Sequence, residues 1–268
     1  MQSPIPWFLS PVLGCLLLVA GGCETTAPPR IGGGFQSPPS RSTPATLLPR
    51  TVVIDAGHGG HDPGTAHYGL KEKHLALDIA KRLRTNLQTA GLKVVMTRET
   101  DQFIPLSGRP AMANRLQADL FVSVHINANR NGRVSGVEVY YPRQSVVSSD
   151  AQWPPVVSPA EVSVPSTTVR QVLWDLVLGH TRAQSRRLGS SICRSMRKGL
   201  QVPCRGNKPA RFVVLREAWM PAVLVEVGYV SNQVEASRLG NPAYRQATAD
   251  SIAQGILAYL HEVGAHDI

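Results

Sequence analysis

The sequence predicts an α/β layer fold, and three observations carry that expectation. From Arg50 onward, short apolar runs alternate with stretches of helical period, the pattern of strands and helices packed in layers. The run Thr51–Ile54 then stops at "DAGHGGHDPGT", a sharp turn at the carboxyl end of a strand, which is where open α/β sheets build their sites. Finally, 268 residues at 43% hydrophobic content can bury a full core, with one domain plus tails as the default.

At the amino terminus, "MQSPIPWFLSPVLGCLLLVAGGC" holds an apolar run, Val12–Ala20, too short to span a bilayer and followed by small residues. Residues 1–22 read as a secretory signal. The "AGGC" ending at Cys23 is similar to the bacterial lipoprotein signal, which implies acylation of Cys23. An ordinary cleaved signal is the competing expectation. Glu24 stands where an Asp would mark inner-membrane retention, so the outer membrane is favoured for the anchor. Residues 23–49 are rich in Pro, Gly, Ser and Thr and predict a flexible tether.

The folded domain is expected over 50–264. Strands are predicted at Thr51–Asp55, Lys93–Thr97, Leu120–Ile126, Gly136–Tyr141, Phe212–Arg216 and Ala222–Val227. Helices are predicted at Lys71–Ala90, Gly108–Leu116, Val169–Leu200 and Pro242–Val263, the last opening on "NP", an N-cap and a first-turn proline. Residues 143–168 are Pro-, Ser- and Val-rich without a period and read as a surface insertion. Cys193 and Cys204 are an even pair in an oxidising compartment, and both a disulfide and two free thiols are open.

Four positions suggest chemistry. His58 sits on the glycine loop just after the first strand. Glu72 shares the helix face of Leu75, Ala76, Ile79 and Leu83, where a carboxylate is expensive to bury unless paired or bound to a cation; the bland alternative is helix-start electrostatics. His125 ends the apolar strand of "DLFVSVHINAN". Two imidazoles and one carboxylate, with a position left to water, make the usual catalytic zinc set. Glu226 interrupts the apolar strand of "PAVLVEVGYVSN" and fits a general base for a water whose pKa a zinc ion lowers.

In this combination the chain resembles the zinc-dependent N-acetylmuramoyl-L-alanine amidases of bacterial cell-wall turnover. The matching stretches are "VVIDAGHGGHDPGT", "LKEKHLALDIAKRL", "SGRPAMANRLQADLFVSVHINAN", "GVEVYY", "VLWDL", "FVVLREAWMPAVLVEVGYVSN" and "AYRQATADSIAQGILAYL". The resemblance implies a mixed, mostly parallel sheet of about six strands with helices on both faces. It implies one Zn2+ held by His58, Glu72 and His125, with Glu226 as catalytic carboxylate. The implied reaction is hydrolysis of the amide between the lactyl group of N-acetylmuramic acid and the L-alanine of the stem peptide. Asn127 either contacts substrate or fixes the loop after His125, with the structural role preferred. Asp55 is expected to brace the glycine loop, and His61 and His67 to lie on its surface. Some relatives carry a blocking helix in the interval after "GVEVYY"; here Pro154, Pro155, Pro159 and Pro165 disfavour a long helix, with Glu161 as a remote plug. Any activator protein is unidentified.

The net charge of +10 favours an anionic partner, and peptidoglycan in the cell envelope fits it. Aromatic content of 6% and the lack of zinc-finger or RNA-binding signatures argue against nucleic acid. A serine hydrolase is set aside because no serine has Gly two residues away on both sides. A zinc peptidase acting within the stem peptide remains, as does a non-catalytic envelope lipoprotein that binds peptidoglycan or activates another wall hydrolase.

Overall fold

The computed structural model describes residues 50–143 and 167–264. The signal segment, Cys23, the tether, residues 144–166 with Glu161, and His266 lie outside the described residues. In chain order the elements are β1 (Thr51–Ala56), β2 (Ala66–His67), β3 (Leu70–Lys71), α1 (Glu72–Thr89), β4 (Lys93–Met96), α2 (Gly108–Arg115), β5 (Leu120–Asn127) and β6 (Val137–Pro142), followed by α3 (Thr167–Leu200), β7 (Cys204–Ala210), α4 (Val213–Arg216), β8 (Ala222–Tyr229), α5 (Gln233–Gly240) and α6 (Pro242–Gly264). No described helix is long and apolar enough to cross a membrane.

Six strands form one sheet in the order β4-β1-β5-β8-β6-β7, while β2 and β3 pair as a small hairpin. Strands β4, β1, β5 and β8 are parallel. Strand β6 runs antiparallel to β8, and β7 follows β6 in parallel. The sheet is therefore mixed and mostly parallel, as expected.

Helices cover both faces. Leu75, Ile79 and Leu83 of α1, Leu188 and Ile192 of α3, and Ile252 and Ile256 of α6 pack on Val52, Val122 and Val225. On the other face, Val53, Phe121 and Leu224 meet Ala113 of α2 and Val214 and Leu215 of α4. Each such Val, Leu, Ile or Phe side chain removed wholly from water contributes about 1.5–3 kcal/mol before entropy is charged against it. Between α1 and α6, Asp78 Oδ2 accepts Arg82 Nε at 2.9 Å and Arg245 Nε at 2.5 Å.

One predicted element is wrong in kind. The apolar run Phe212–Arg216 predicts a strand, but Val213–Arg216 forms the helical turn α4. Its adjacent residues Val214 and Leu215 are both buried against the same cluster, which a helical turn allows and alternating strand geometry does not. A short apolar run cannot by itself separate the two. The sixth strand is instead β7, whose sequence "CRGNKPA" is largely polar. As an edge strand it needs little apolar surface and tolerates Pro209.

Helix α5 is absent from the predicted elements, although its start carries a signal. Asn232 caps it by accepting from Val234 N and Glu235 N. The "NP" start of α6 behaves as expected, with Asn241 Oδ1 accepting from Ala243 N at 2.9 Å. Of the two cysteine alternatives, the structure has the disulfide: Cys193 of α3 is bonded to Cys204 of β7, with Cα atoms 5.8 Å apart.

The direction of β6 decides which side chains share the carboxyl end of the sheet. Because it opposes β8, its first residues lie beside the last residues of β8, and Glu138 pairs in register with Glu226.

Candidate active site

The glycine loop leaves β1 and is pinned at once to the next strand, Gly57 N donating to Val124 O at 3.0 Å. His58 then takes a φ of +58°, an uncommon conformation that turns the chain away from the sheet. The loop's glycines do more than permit the turn. A Cβ on Gly57 would collide with the imidazole of His125, and one on Gly64 would press on both Glu72 Oε2 and His58. Their missing side chains are the space in which the site assembles.

Three groups meet there. Glu72 Oε1 lies 3.2 Å from His58 Nε2 and 2.9 Å from His125 Nδ1. One donor atom from each residue falls within 4.8 Å of the others, and among the described residues this is the cluster able to hold a metal ion. The imidazoles meet edge-on with centroids 5.0 Å apart.

Glu72 is nearly inaccessible, so its carboxylate needs donors, and it has them. Oε1 accepts Ile126 N at 2.9 Å, and Oε2 accepts Thr65 N at 2.8 Å and Thr65 Oγ1 at 3.2 Å. Burial works to raise its pKa, but the hydrogen bonds and charges of His125 and His58 outweigh it and hold the carboxyl well below its ordinary range. For His58, burial lowers and its two carboxylate neighbours raise, with a net rise.

Asp62 supports this arrangement. Its Oδ2 lies 2.8 Å from His58 Nδ1, and its Oδ1 accepts Gly64 N at 3.0 Å. A carboxylate on Nδ1 fixes the ring and leaves Nε2 free to offer its lone pair. Beneath the loop are two buried guanidiniums. Arg98 donates to the carbonyls of Ala56, Gly57, Lys73 and Thr100. Arg109 donates to the carbonyls of Ala56, His58 and Ile104, and its Nη1 pairs with Asp55 at 2.9 Å. Asp55 also accepts Thr97 Oγ1 and Ser123 Oγ, each at 2.7 Å, so it sits under the loop as a brace.

Glu226 stands in register beside His125 on β5 and opposite Glu138 on β6. Its Oε2 is enclosed and has no hydrogen-bond partner among the described residues. Burial first, then the charges of Glu72 and Glu138, push its carboxyl well above the usual range. A largely enclosed acid that holds its proton readily, next to a cluster able to hold a metal ion, suits proton transfer. Asn127 spends its amide inside the protein: Nδ2 donates to Glu138 Oε2 at 3.3 Å and Oδ1 accepts Ala128 N at 2.8 Å.

Among the described residues, the other histidines are not part of this cluster. His61 is exposed and packs on Phe103 at 4.2 Å, and His67 is exposed on β2.

The N-acetylmuramoyl-L-alanine amidase family matches residues 52–258 of this chain. The chain belongs to that family. This amidase is 36% identical to the N-acetylmuramoyl-L-alanine amidase AmiA of Escherichia coli strain K12 over 79% of its own length and 76% of the relative's. Among solved structures, the N-acetylmuramoyl-L-alanine amidase of Clostridium difficile 630 matches with a TM-score of 0.63 at 31% identity, covering 80% of this amidase and 97% of that chain. AmiC2 of Nostoc punctiforme matches with a TM-score of 0.61 at 33% identity, covering 79% and 97%.

Reading the sequence alone missed Asp62, Thr65, Arg98 and Arg109. Asp62 and Thr65 lie inside the glycine stretch, where a carboxylate four residues after His58 was the available signal. The arginines bond mainly to carbonyls, which leave no mark in a sequence.

Proposed function

We propose that this peptidoglycan amidase works with one zinc ion held by His58, Glu72 and His125, and that Glu226 is its catalytic carboxylate. The donor set fits the group: two imidazoles and one carboxylate within 4.8 Å match a catalytic zinc site, which keeps a position open, rather than a closed structural one. When bound, zinc supplies a Lewis acid and lowers the pKa of water.

The chain's own residues carry the protons. Glu226 accepts one from the attacking water as its oxygen bonds to the lactyl carbonyl carbon. It then delivers that proton to the nitrogen of L-alanine as the carbon–nitrogen bond breaks, leaving a lactyl acid and a free amine. Its raised affinity for a proton suits a group that must hold one between the two steps. Asp62 keeps His58 in the tautomer that offers Nε2, and Asn127 fixes the loop after His125.

The observation that carries this reading is Glu226 Oε2, enclosed and without a partner among the described residues, on a side chain in register beside His125. The test is Glu226→Gln: zinc content is expected to stay at one ion per chain while turnover of purified sacculi falls by at least about a hundredfold. Wild-type products should be free stem peptides and peptide-free glycans by mass spectrometry. Full activity of the variant overturns the assignment, and cuts within the stem peptide would make the chain a peptidase.

The same proposal extends to placement. Export to the cell envelope, acylation of Cys23 and tethering through residues 24–49, with the outer membrane favoured, rest on the Val12–Ala20 run, the "AGGC" stretch and Glu24.

A further inference from the structure

Two bases that the hydrolysis does not use stand at the edge of the site. Arg205 and Lys208 lie on β7, the outermost strand, and both reach towards Glu138. Lys208 Nζ donates to Glu138 Oε1 at 2.7 Å, while Arg205 Nε stays 3.7 Å from that oxygen, too far for a hydrogen bond. Glu138 is otherwise well supplied, since its Oε2 accepts the Tyr140 hydroxyl at 2.7 Å and the Asn127 amide. Of the two cations only Lys208 hydrogen-bonds Glu138, while Arg205 feels Glu138 and Glu235 through charge. Among the described residues, the hydrogen bond Arg205 makes is a long one, Nη1 to Ser135 O at 3.4 Å.

Exposure separates floor from rim. The Glu138 side chain is 6% exposed, whereas those of Arg205 and Lys208 are 43% and 46% exposed. Two half-exposed cationic side chains with donors to spare therefore face solvent on β7, one strand beyond Glu138 and two from Glu226. The strand that presents them is held firmly: Cys204 is bonded to Cys193, and Asn207 Nδ2 donates to Arg186 O at 2.7 Å and Ser190 Oγ at 3.0 Å. Bases on a fixed strand lose little freedom on capturing an anion.

Distance selects the anion. Strand β7 lies two strand spacings, roughly 10 Å, from β8 and Glu226. Extended peptide advances about 3.3–3.6 Å per residue, so groups two or three residues from the cut bond reach β7. The lactyl carboxyl is itself locked in the scissile amide, which leaves the free carboxylates of the substrate on its peptide. We propose that Arg205 and Lys208 form a subsite for a stem-peptide carboxylate on the leaving-group side of the scissile amide. This rests on the amidase reading and adds to it the part of the substrate that is recognised.

The test is steady-state kinetics of the zinc-loaded full chain on two soluble muropeptides. One carries a free carboxylate on the acidic residue after L-alanine, and the other has that carboxylate converted to a carboxamide. On the acid substrate, Arg205→Gln with Lys208→Gln should lower kcat/KM by about 10- to 100-fold through KM, with kcat little changed. On the carboxamide, wild type should already be slowed to a similar degree, and the variant should add under about threefold. Lys208→Arg should restore most of the loss from Lys208→Gln. Equal losses on both substrates, or none on the acid, overturn the subsite and leave the bases as mere neutralisers of Glu138. Release of no stem peptide from either substrate by wild type would instead defeat the amidase reading, and the subsite with it.

Discussion

Asp62 and Asp55 are both carboxylates in the glycine stretch, yet they serve different ends. Asp55 is fully buried and works through Arg109, Thr97 and Ser123 to hold the backbone. Asp62 is partly exposed and touches His58 itself. Replacing Asp62 with Asn keeps the shape but removes the charge that orients and polarises the ring, so zinc affinity should fall by about 10- to 100-fold. Competition against a chelator of known affinity measures this, and unchanged affinity would refute the role given to Asp62. What the sequence disclosed at this scale was polar residues in apolar company. His125 and Glu226 interrupt strands that are otherwise largely hydrophobic, and Glu72 lies on the buried face of its helix. Arg98 and Arg109 broke no such pattern, because the partners of a guanidinium under a loop are backbone carbonyls that every residue has.

Among elements, the α1–α6 contact gives a pH-dependent prediction. Burial acts to raise the Asp78 carboxyl, but hydrogen bonds and charges from Arg82 and Arg245 outweigh it, so its pKa is lowered in the fold. The stabilisation is thus fully present above the ordinary aspartate value and is lost as pH falls through the depressed one. Asp78→Asn should destabilise the protein at pH 7 by about 1 kcal/mol, the modest worth of a partly exposed ion-pair network. For a domain of this size that is roughly 2–4 °C in Tm. The gap between variant and wild type should close in acid, where wild type protonates too, and a gap independent of pH would count against the pairing. Most elements could be read in advance: the central strands and long helices from a strong apolar period, and also the edge strand β4 and the short helix α2. Strand β7 escaped because its neighbours on the sheet edge ask almost nothing hydrophobic of it, while "FVVLR" misled because both Val214 and Leu215 face one small cluster.

For the whole molecule, the reversal of β6 against β8 organises the site. It brings the beginning of β6, with Glu138, against Glu226 of β8, which is itself in register with His125 of β5, so three of the groups around the centre rise from paired strands. The α/β class and the placement of the centre at strand ends were legible from alternation and from the glycine loop. The antiparallel pairing came only through family likeness, since strand direction is settled by packing among distant segments.

The guanidinium cradle under residues 56–58 has a consequence for the life of the protein without its ion. A zinc finger collapses when stripped because the metal is its core, whereas here the loop is already cast by Arg98 and Arg109. Treatment with a strong chelator should silence hydrolysis while leaving the far-ultraviolet spectrum and a cooperative melt in place, and returning zinc should restore turnover without any refolding step. On the proposed zinc reading, the metal-free protein is expected to persist as an idle but intact scaffold and to wake when the ion arrives.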